Sequence, residues 1–117
     1  MSCSLMPYAD APGRCDHCGG MLYGRRTRWC SRRCRMFNVN NHRWTQARAA
    51  AKKRDKRCVT CGSEIQLEVN HVVPIVGAGY GWSCRNHQDN LQVLCHLDHV
   101  IVTNQQAAMR RLNRESA

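Results

Sequence analysis

Nine cysteines, at positions 3, 15, 18, 30, 34, 58, 61, 84 and 95, carry the first chemistry legible in this chain of 117 residues. An odd number cannot pair completely into disulfides within the chain. The opening Met-Ser-Cys-Ser-Leu-Met-Pro lacks the charged region and apolar stretch of a secretory leader, so metal ligation is the better use for these thiols. Cys15/Cys18 and Cys58/Cys61 are Cys-x-x-Cys pairs. Such a pair sets two thiolates on one tight turn, as two corners of a tetrahedron about 2.3 Å from a zinc ion. A redox pair of the thioredoxin kind needs a βαβ setting, which is missing here. Cys15-Asp-His-Cys18-Gly19-Gly20 is followed by Trp29-Cys30-Ser31-Arg32-Arg33-Cys34, so Cys15, Cys18, Cys30 and Cys34 make a closed structural site within twenty residues. Cys58-Val-Thr-Cys61-Gly62 opens a second knuckle.

The elements that position these groups follow from periodicity. Leu67 to His71 alternates as a strand and stops before Pro74; Gly77, Gly79 and Gly81 then read as a flexible loop. Asn90 to Cys95 forms a second short strand, and His96-Leu-Asp98-His99 enters a last helix running to about Asn113. That order leaves His71 at the end of the first strand, Asn90 in the loop and His99 at the start of the helix. Upstream, residues 41–57 contain Ala47, Ala49, Ala50 and Ala51 but no Gly or Pro, and predict one helix capped by Asn40 or Asn41. Trp44, Ala47 and Ala51 give it a narrow apolar stripe, and its cations include Arg43, Arg48, Lys52, Lys53, Arg54, Lys56 and Arg57.

Composition bounds the answer. The 43% apolar share includes nine Cys and ten Ala, and only seven residues are aromatic. A chain so poor in large apolar groups depends on staples, and no apolar run is long enough to span a membrane. Residues 1–57 hold fourteen basic and three acidic side chains, whereas residues 58–117 hold four and five. A cationic half joined to a near-neutral half predicts a grip on a polyanion, most simply nucleic acid, attached to something with a separate task. Arg25, Arg26, Arg28, Arg32 and Arg33, with Lys52, Lys53 and Arg54 from the helix, are the expected phosphate contacts.

Two resemblances sharpen this. The stretch around Cys15–Cys34 resembles small treble-clef or FCS-type zinc fingers, on its Cys-x-x-Cys-Gly and aromatic-Cys-Ser-x-x-Cys-Arg pieces. Residues 55–105 resemble the HNH endonucleases, the ββα-metal nucleases, whose compact phage and bacterial members are similar in size. The pieces are Arg54-Asp55 ahead of Cys58-Val-Thr-Cys61-Gly62, Asn70-His71-Val-Val-Pro74, Asp89-Asn90-Leu91-Gln92-Val-Leu94-Cys95, and His99 with Thr103. The implied architecture is a small zinc-stabilised α+β protein. Residues 1–13 are a flexible start, 14–40 a four-cysteine zinc finger, 41–57 a basic linker helix, and 58–117 a ββα-metal (HNH) nuclease unit.

The implied activity is metal-dependent hydrolysis of DNA phosphodiester bonds, as an endonuclease or nickase of low sequence specificity. Such hydrolysis needs a water deprotonated near neutral pH, where imidazole titrates. It also needs a cation to neutralise charge on the leaving oxygen. By resemblance, His71 is the general base, Asn90 fixes its ring, and His99 with Asn70 holds the catalytic ion. Many family members have Asp where this chain has Asn70. An amide oxygen adds no charge, which implies weaker binding of Mg²⁺ or Mn²⁺, or a softer ion such as Zn²⁺ or Ni²⁺. The family's second knuckle usually ends Cys-x-x-Cys-His, whereas this chain has Cys95-His-Leu-Asp98-His99. The second zinc set is therefore Cys58, Cys61, Cys95 and Asp98, with His96, Cys84 and His87 competing for the fourth place.

Among the other candidates, His17 reads as a bystander and His42 as a solvent or phosphate contact. Cys3 reads as a free thiol near a disordered start, and Trp82 as loop packing. The expected cofactors are two structural Zn²⁺ and one catalytic divalent cation (Mg²⁺, Mn²⁺, Ni²⁺ or Zn²⁺). The expected protein is a monomer in the bacterial cytoplasm, with double-stranded DNA and phage packaging proteins as partners and no membrane. A non-catalytic zinc-dependent DNA-binding module, or a packaging adaptor, stays open as the alternative.

Overall fold

Seven aromatic residues in 117 leave little from which to build a core. The computed structural model describes residues 3–75 and 81–116, so Gly77 and Gly79 of the expected flexible loop lie outside the described residues. Its Cα radius of gyration is 17.2 Å and its extents are 49 × 40 × 19 Å, whereas a rounded domain of this length has a radius of about 13 Å. Two small apolar groups are buried in this plate. Ala47, Ala51, Val69, Leu91 and Val93, edged by Trp44 and Leu67, form one. Cys58, Leu94 and Cys95, backed by Leu67 and Val102, form the other.

The elements run α1 (Arg32–His42), α2 (Trp44–Asp55), β1 (Leu67–His71), β2 (Leu91–Cys95) and α3 (His96–Ser116), with 3-10 turns at Cys84–Asn86 and Gln88–Asn90. This is a small mixed α+β fold with helices in its N-terminal half and a ββα unit at its C-terminal end. β1 and β2 are antiparallel, with Val69 opposite Val93 and His71 opposite Leu91. The two-residue period of a strand directs Val69 toward α2, against Ala47 and Ala51, and places Glu68 and Asn70 on the other side.

The helix expected over 41–57 is two helices. Ser31 caps α1, its Oγ accepting from the Cys34 N–H at 3.2 Å. α1 ends at His42 because Arg43 turns extended, at φ −84° and ψ 121°. There it forms an isolated antiparallel bridge with Trp82. Ser83 N–H donates to His42 O at 2.9 Å and Trp44 N–H to Gly81 O at 3.1 Å. Asn41 lies inside α1 rather than at a cap, and its Oδ1 accepts from Gln88 N–H at 2.9 Å. Nor is α2 a spacer, since Ala47 and Ala51 are fully buried against the sheet.

The flexible start is also revised from Cys3 onward. Met6 is buried, and Tyr8 N–H donates to Asp16 O at 3.0 Å. His17 Nδ1–H donates to Leu5 O at 2.7 Å, the bystander position expected of it. The Tyr8 ring also covers Gly19, where a Cβ would meet it at 2.8 Å and where φ is +77°, so two constraints require glycine at that place.

Arg54 departs from the role of phosphate contact. Its five N–H donors are all engaged within the chain: Nε and one terminal nitrogen with Asp55, and the two terminal nitrogens with Gln88 O, Gln88 Oε1 and Leu91 O, at 2.7–3.2 Å. This guanidinium joins the end of α2 to the start of β2. Arg54 also holds the Asp55 carboxyl below its ordinary 3.8. That contribution to stability is complete above the ordinary value and disappears as pH falls through the lowered one. Arg54→Ala is expected to reduce the unfolding free energy by about 2 kcal/mol in urea denaturation at neutral pH. An unchanged midpoint would show that the clamp carries no stability.

Candidate functional site

Three groups of ligand-type side chains converge among the described residues, each with its donor atoms within 4.8 Å of one another: Cys15, Cys18, Cys30 and Cys34; Cys58, Cys61, Cys95 and Asp98; and Cys3, His42, Cys84 and His87. A tetrahedral zinc site, with bonds of about 2.3 Å to sulfur and 2.0–2.2 Å to nitrogen or oxygen, has donor separations of about 3.8 Å for S···S, 3.6 Å for S···O and 3.4 Å for N···N. In the first group Cys18 Sγ lies 3.4 Å from Cys30 Sγ, and Cys30 Sγ 3.7 Å from Cys34 Sγ. In the second, Cys61 and Cys95 are 3.7 Å apart, and Asp98 Oδ2 lies 3.1 Å from Cys58 and 3.3 Å from Cys95. Both donor sets fit zinc.

The local sequence explains the convergence. Gly19 N–H donates to Cys15 O and Gly62 N–H to Cys58 O, each at 2.9 Å, so the two Cys-x-x-Cys-Gly segments close the same turn. In both turns the glycine has a left-handed φ, +77° and +79°. Burial opposes ionisation of Cys15, but the backbone N–H groups of Cys18, Cys30 and His17 outweigh it and hold its pKa at about 6. Burial, with the neighbouring thiols of Cys30, Cys15 and Cys18, pushes Cys34 up to about 12. Four adjacent thiols resist becoming four anions, and a divalent cation removes that resistance. Hydrogen bonding from the thiols of Cys58, Cys61 and Cys95 holds Asp98 below the usual carboxylate range.

Asp98 therefore takes the fourth place of the second group. Its competitors have other partners. His96 Nδ1 pairs with Glu68 Oε2 at 2.9 Å, and Cys84 and His87 belong to the third group. That third group corrects two expectations. Cys3 is drawn in beside His42 and His87, and His42 is fully buried, with no exposure to solvent or phosphate.

The end of β1, the start of α2 and one face of α3 border a cleft of about 320 Å³, lined by Trp44, Asn70, His71, His99, Thr103 and Arg110 among others. It brings together His71, Asn70 and His99. His71 is 8% exposed. Its ring stacks on Trp44 with centroids 4.7 Å apart, and its backbone O accepts from Gln106 of α3 at 2.9 Å.

The side chain found at its Nε2 is Asn86, not Asn90, with Asn86 Oδ1 at 2.8 Å. The Asn86 amide has one allowed orientation, because its Nδ2 donates to His42 O at 2.7 Å and to Gly81 O at 3.0 Å. Oδ1 must then accept, so Nε2 carries the proton and Nδ1 of His71 is the basic nitrogen. Asn90 acts on the loop. Its Oδ1 accepts from Val73 N–H, and its Nδ2 donates to Val73 O and Arg85 O, at 2.7–3.0 Å.

On the cleft's other wall, His99 Nδ1–H donates to Glu68 Oε1 at 2.6 Å. That orients the ring and leaves Nε2 as its donor atom. Asn70 is buried, and its Nδ2 has no hydrogen-bond partner among the described residues. Asn70 and His99 both line this cleft.

Of the expected phosphate contacts, Arg25, Arg26, Arg32, Arg33 and Lys53 are exposed and Lys52 is half-buried. Arg28 bonds to Asp16 at 2.8 Å and lies over the rings of Trp29 and Trp82. It holds the finger together, as Arg54 holds α2. Sequence reasoning missed Glu68, Asn86 and Arg110. Glu68 had a signal, the two-residue spacing that sets it on the same strand face as Asn70. Asn86 and Arg110 had none.

Compared with known proteins, the chain matches no family model, and no curated protein or solved structure is significantly similar to it. No helix among the described residues is long and apolar enough to cross a membrane. The ligand assignment makes an immediate distinction. Asp98→Ala is expected to weaken one zinc site at least about tenfold in chelator competition, and His96→Ala to leave it unchanged. The reverse result would transfer the fourth place to His96.

Proposed function

We propose that the chain is a metal-dependent endonuclease or nickase of the HNH type, acting on the phosphodiester bonds of DNA. The observation that carries this reading is the cleft that gathers His71, Asn70 and His99 at one end of a ββα unit. His71 Nδ1 takes the proton of the attacking water, and Asn86 Oδ1, facing Nε2–H, stabilises the imidazolium that results. Trp44 fixes the plane of the ring. Asn70 and His99 hold the cation, and Glu68 keeps the His99 ring in position. When bound, a divalent cation supplies charge to stabilise the scissile phosphate and its leaving oxygen. Arg110, at the cleft wall, is suited to a flanking phosphate.

The two thiolate groups hold structural Zn²⁺ on this reading. Arg25, Arg26, Arg32, Arg33, Lys52 and Lys53 bind the duplex, and the cationic first half of the chain supports that assignment. The protein is proposed to act as a monomer on double-stranded DNA, and a bacterial cytoplasm with phage packaging proteins is the setting its resemblance suggests.

Plasmid nicking with Mg²⁺, Mn²⁺, Ni²⁺ and Zn²⁺ is the test. His71→Ala is expected to slow cleavage by about 10²–10⁴-fold while leaving salt-sensitive DNA binding intact. Charge reversal of Arg32 and Arg33 is expected to weaken binding to all sequences alike and to flatten its salt dependence by about one unit per lost phosphate contact. One observation favours a second reading, a zinc-dependent DNA-binding module without catalysis: Asn70 stands where a carboxylate would supply charge to a metal. Salt-sensitive binding with no cleavage under any of the four metals would establish that module in place of the nuclease.

A further inference from the structure

We propose that Cys3, His42, Cys84 and His87 form a third zinc site, which pins the N-terminal segment and the loop before β2 to the end of α1. Cys3 Sγ lies 3.3 Å from His42 Nε2 and 3.4 Å from His87 Nε2, and the two nitrogens are 3.1 Å apart. Cys84 completes the group within 4.8 Å. A tetrahedral zinc site with these donors has S···N edges of about 3.5 Å and an N···N edge of about 3.4 Å. The donor atoms therefore stand at ligand spacing although their residues are up to 84 positions apart.

The orientation of His42 agrees with ligation. Its Nδ1–H donates to Asn38 O at 2.8 Å inside α1, so the lone pair lies on Nε2, the atom aimed at Cys3 and His87. A ligand imidazole usually has its second nitrogen held by just such a carbonyl. The ring is further fixed by Trp82, stacked on it with centroids 4.7 Å apart and planes 4° from parallel. On binding, the thiols of Cys3 and Cys84 each release a proton to solvent. Two thiolates and two neutral imidazoles then balance the charge of Zn²⁺, which suits a site with one fully buried ligand.

The site also bears on catalysis, a consequence that rests on the nuclease reading above. Asn86 sits between Cys84 and His87 and donates to the backbone O of His42. The same amide receives Nε2–H of His71. Asn86 is thus a positioning residue, and the third metal holds it by ligands on either side.

Zinc content, measured by elemental analysis on the full chain, tests the site. A His99→Ala background removes any ion held in the cleft. Three zincs per chain are expected there, and two after Cys3→Ala and Cys84→Ala are added. With His96→Ala, which leaves Asp98 as the second group's fourth ligand, added to this background, imidazole of the third group is the source of nitrogen around zinc, since the other two groups then offer sulfur and oxygen alone. X-ray absorption of the protein with His96→Ala and His99→Ala is expected to show that nitrogen, and this decides the question even if the cysteine variant fails to fold. Two zincs in both proteins, or a Cys3–Cys84 disulfide in place of two thiols, would overturn the site.

The link to His71 is read separately by ¹⁵N NMR. The Nε2–H tautomer is expected in the parent and a mixture of tautomers in the cysteine variant. An unchanged tautomer would remove the link while leaving the site. Neither readout requires cleavage, so an inactive protein with three zincs would count against the nuclease alone.

Discussion

Donor atoms gathered at tetrahedral spacing are the constraint on which the rest of this chain depends. The two buried apolar groups contain alanines, valines and leucines, with cysteines contributing to one of them. A structural zinc in a small domain contributes on the order of 10–16 kcal/mol, comparable with the entire stability of an ordinary domain, about 5–15 kcal/mol. With ligation on that scale, a flat molecule 19 Å thick can keep a defined shape. The second group shows how the constraint reaches the cleft. Cys95 ends β2, Asp98 lies in the first turn of α3, and His99 is the next residue. Fixing Asp98 against Cys58 and Cys95 fixes the rotation of the helix that presents His99.

The strand supplies the other half of the arrangement. A period of two sets neighbouring side chains on opposite faces. In β1 it sends Val69 to the α2 core and Glu68 to the two histidines of α3. Asn70 and His71 end the strand, so both reach the same cleft from its two sides. Gln106 ties α3 to the carbonyl of His71 and Arg54 ties α2 to β2, so the three surrounding elements cannot separate independently.

The sequence made legible what depends on local spacing. The Cys-x-x-Cys-Gly turns and the alternation up to His71 are decided within a few residues, and the structure has them. Contacts between distant segments were not legible. Cys84-Arg-Asn-His87 has ligand spacing, but nothing local says that its partners are Cys3 and His42 rather than Cys58 and Cys61. The helix break at Arg43 has the same origin. Local propensity favours continuation through 41–57, and the chain turns because the carbonyl of His42 is used by Ser83 and Asn86. For Asn90, motif resemblance pointed to the base, while tertiary hydrogen bonding assigned that place to Asn86, four residues earlier.

Charge counted from sequence needs a corresponding adjustment. The formal value of +10 treats every cysteine as neutral. Four thiolates around one Zn²⁺ would leave the first group two units more negative, and three would leave the second group one unit more negative. The third group, with two thiolates, would not change the total. The chain on this count keeps about +7, so its attraction to a polyanion survives zinc loading. The first group's excess negative charge would sit on the segment that carries Arg25, Arg26, Arg32, Arg33 and Arg35, where it offsets their mutual repulsion. Arg28 and Arg54 show the limit of counting cations in a run, because their guanidinium groups are bonded within the fold. The exposed positive surface of the first half is therefore set by Arg25, Arg26, Arg32 and Arg33 and by Lys52 and Lys53.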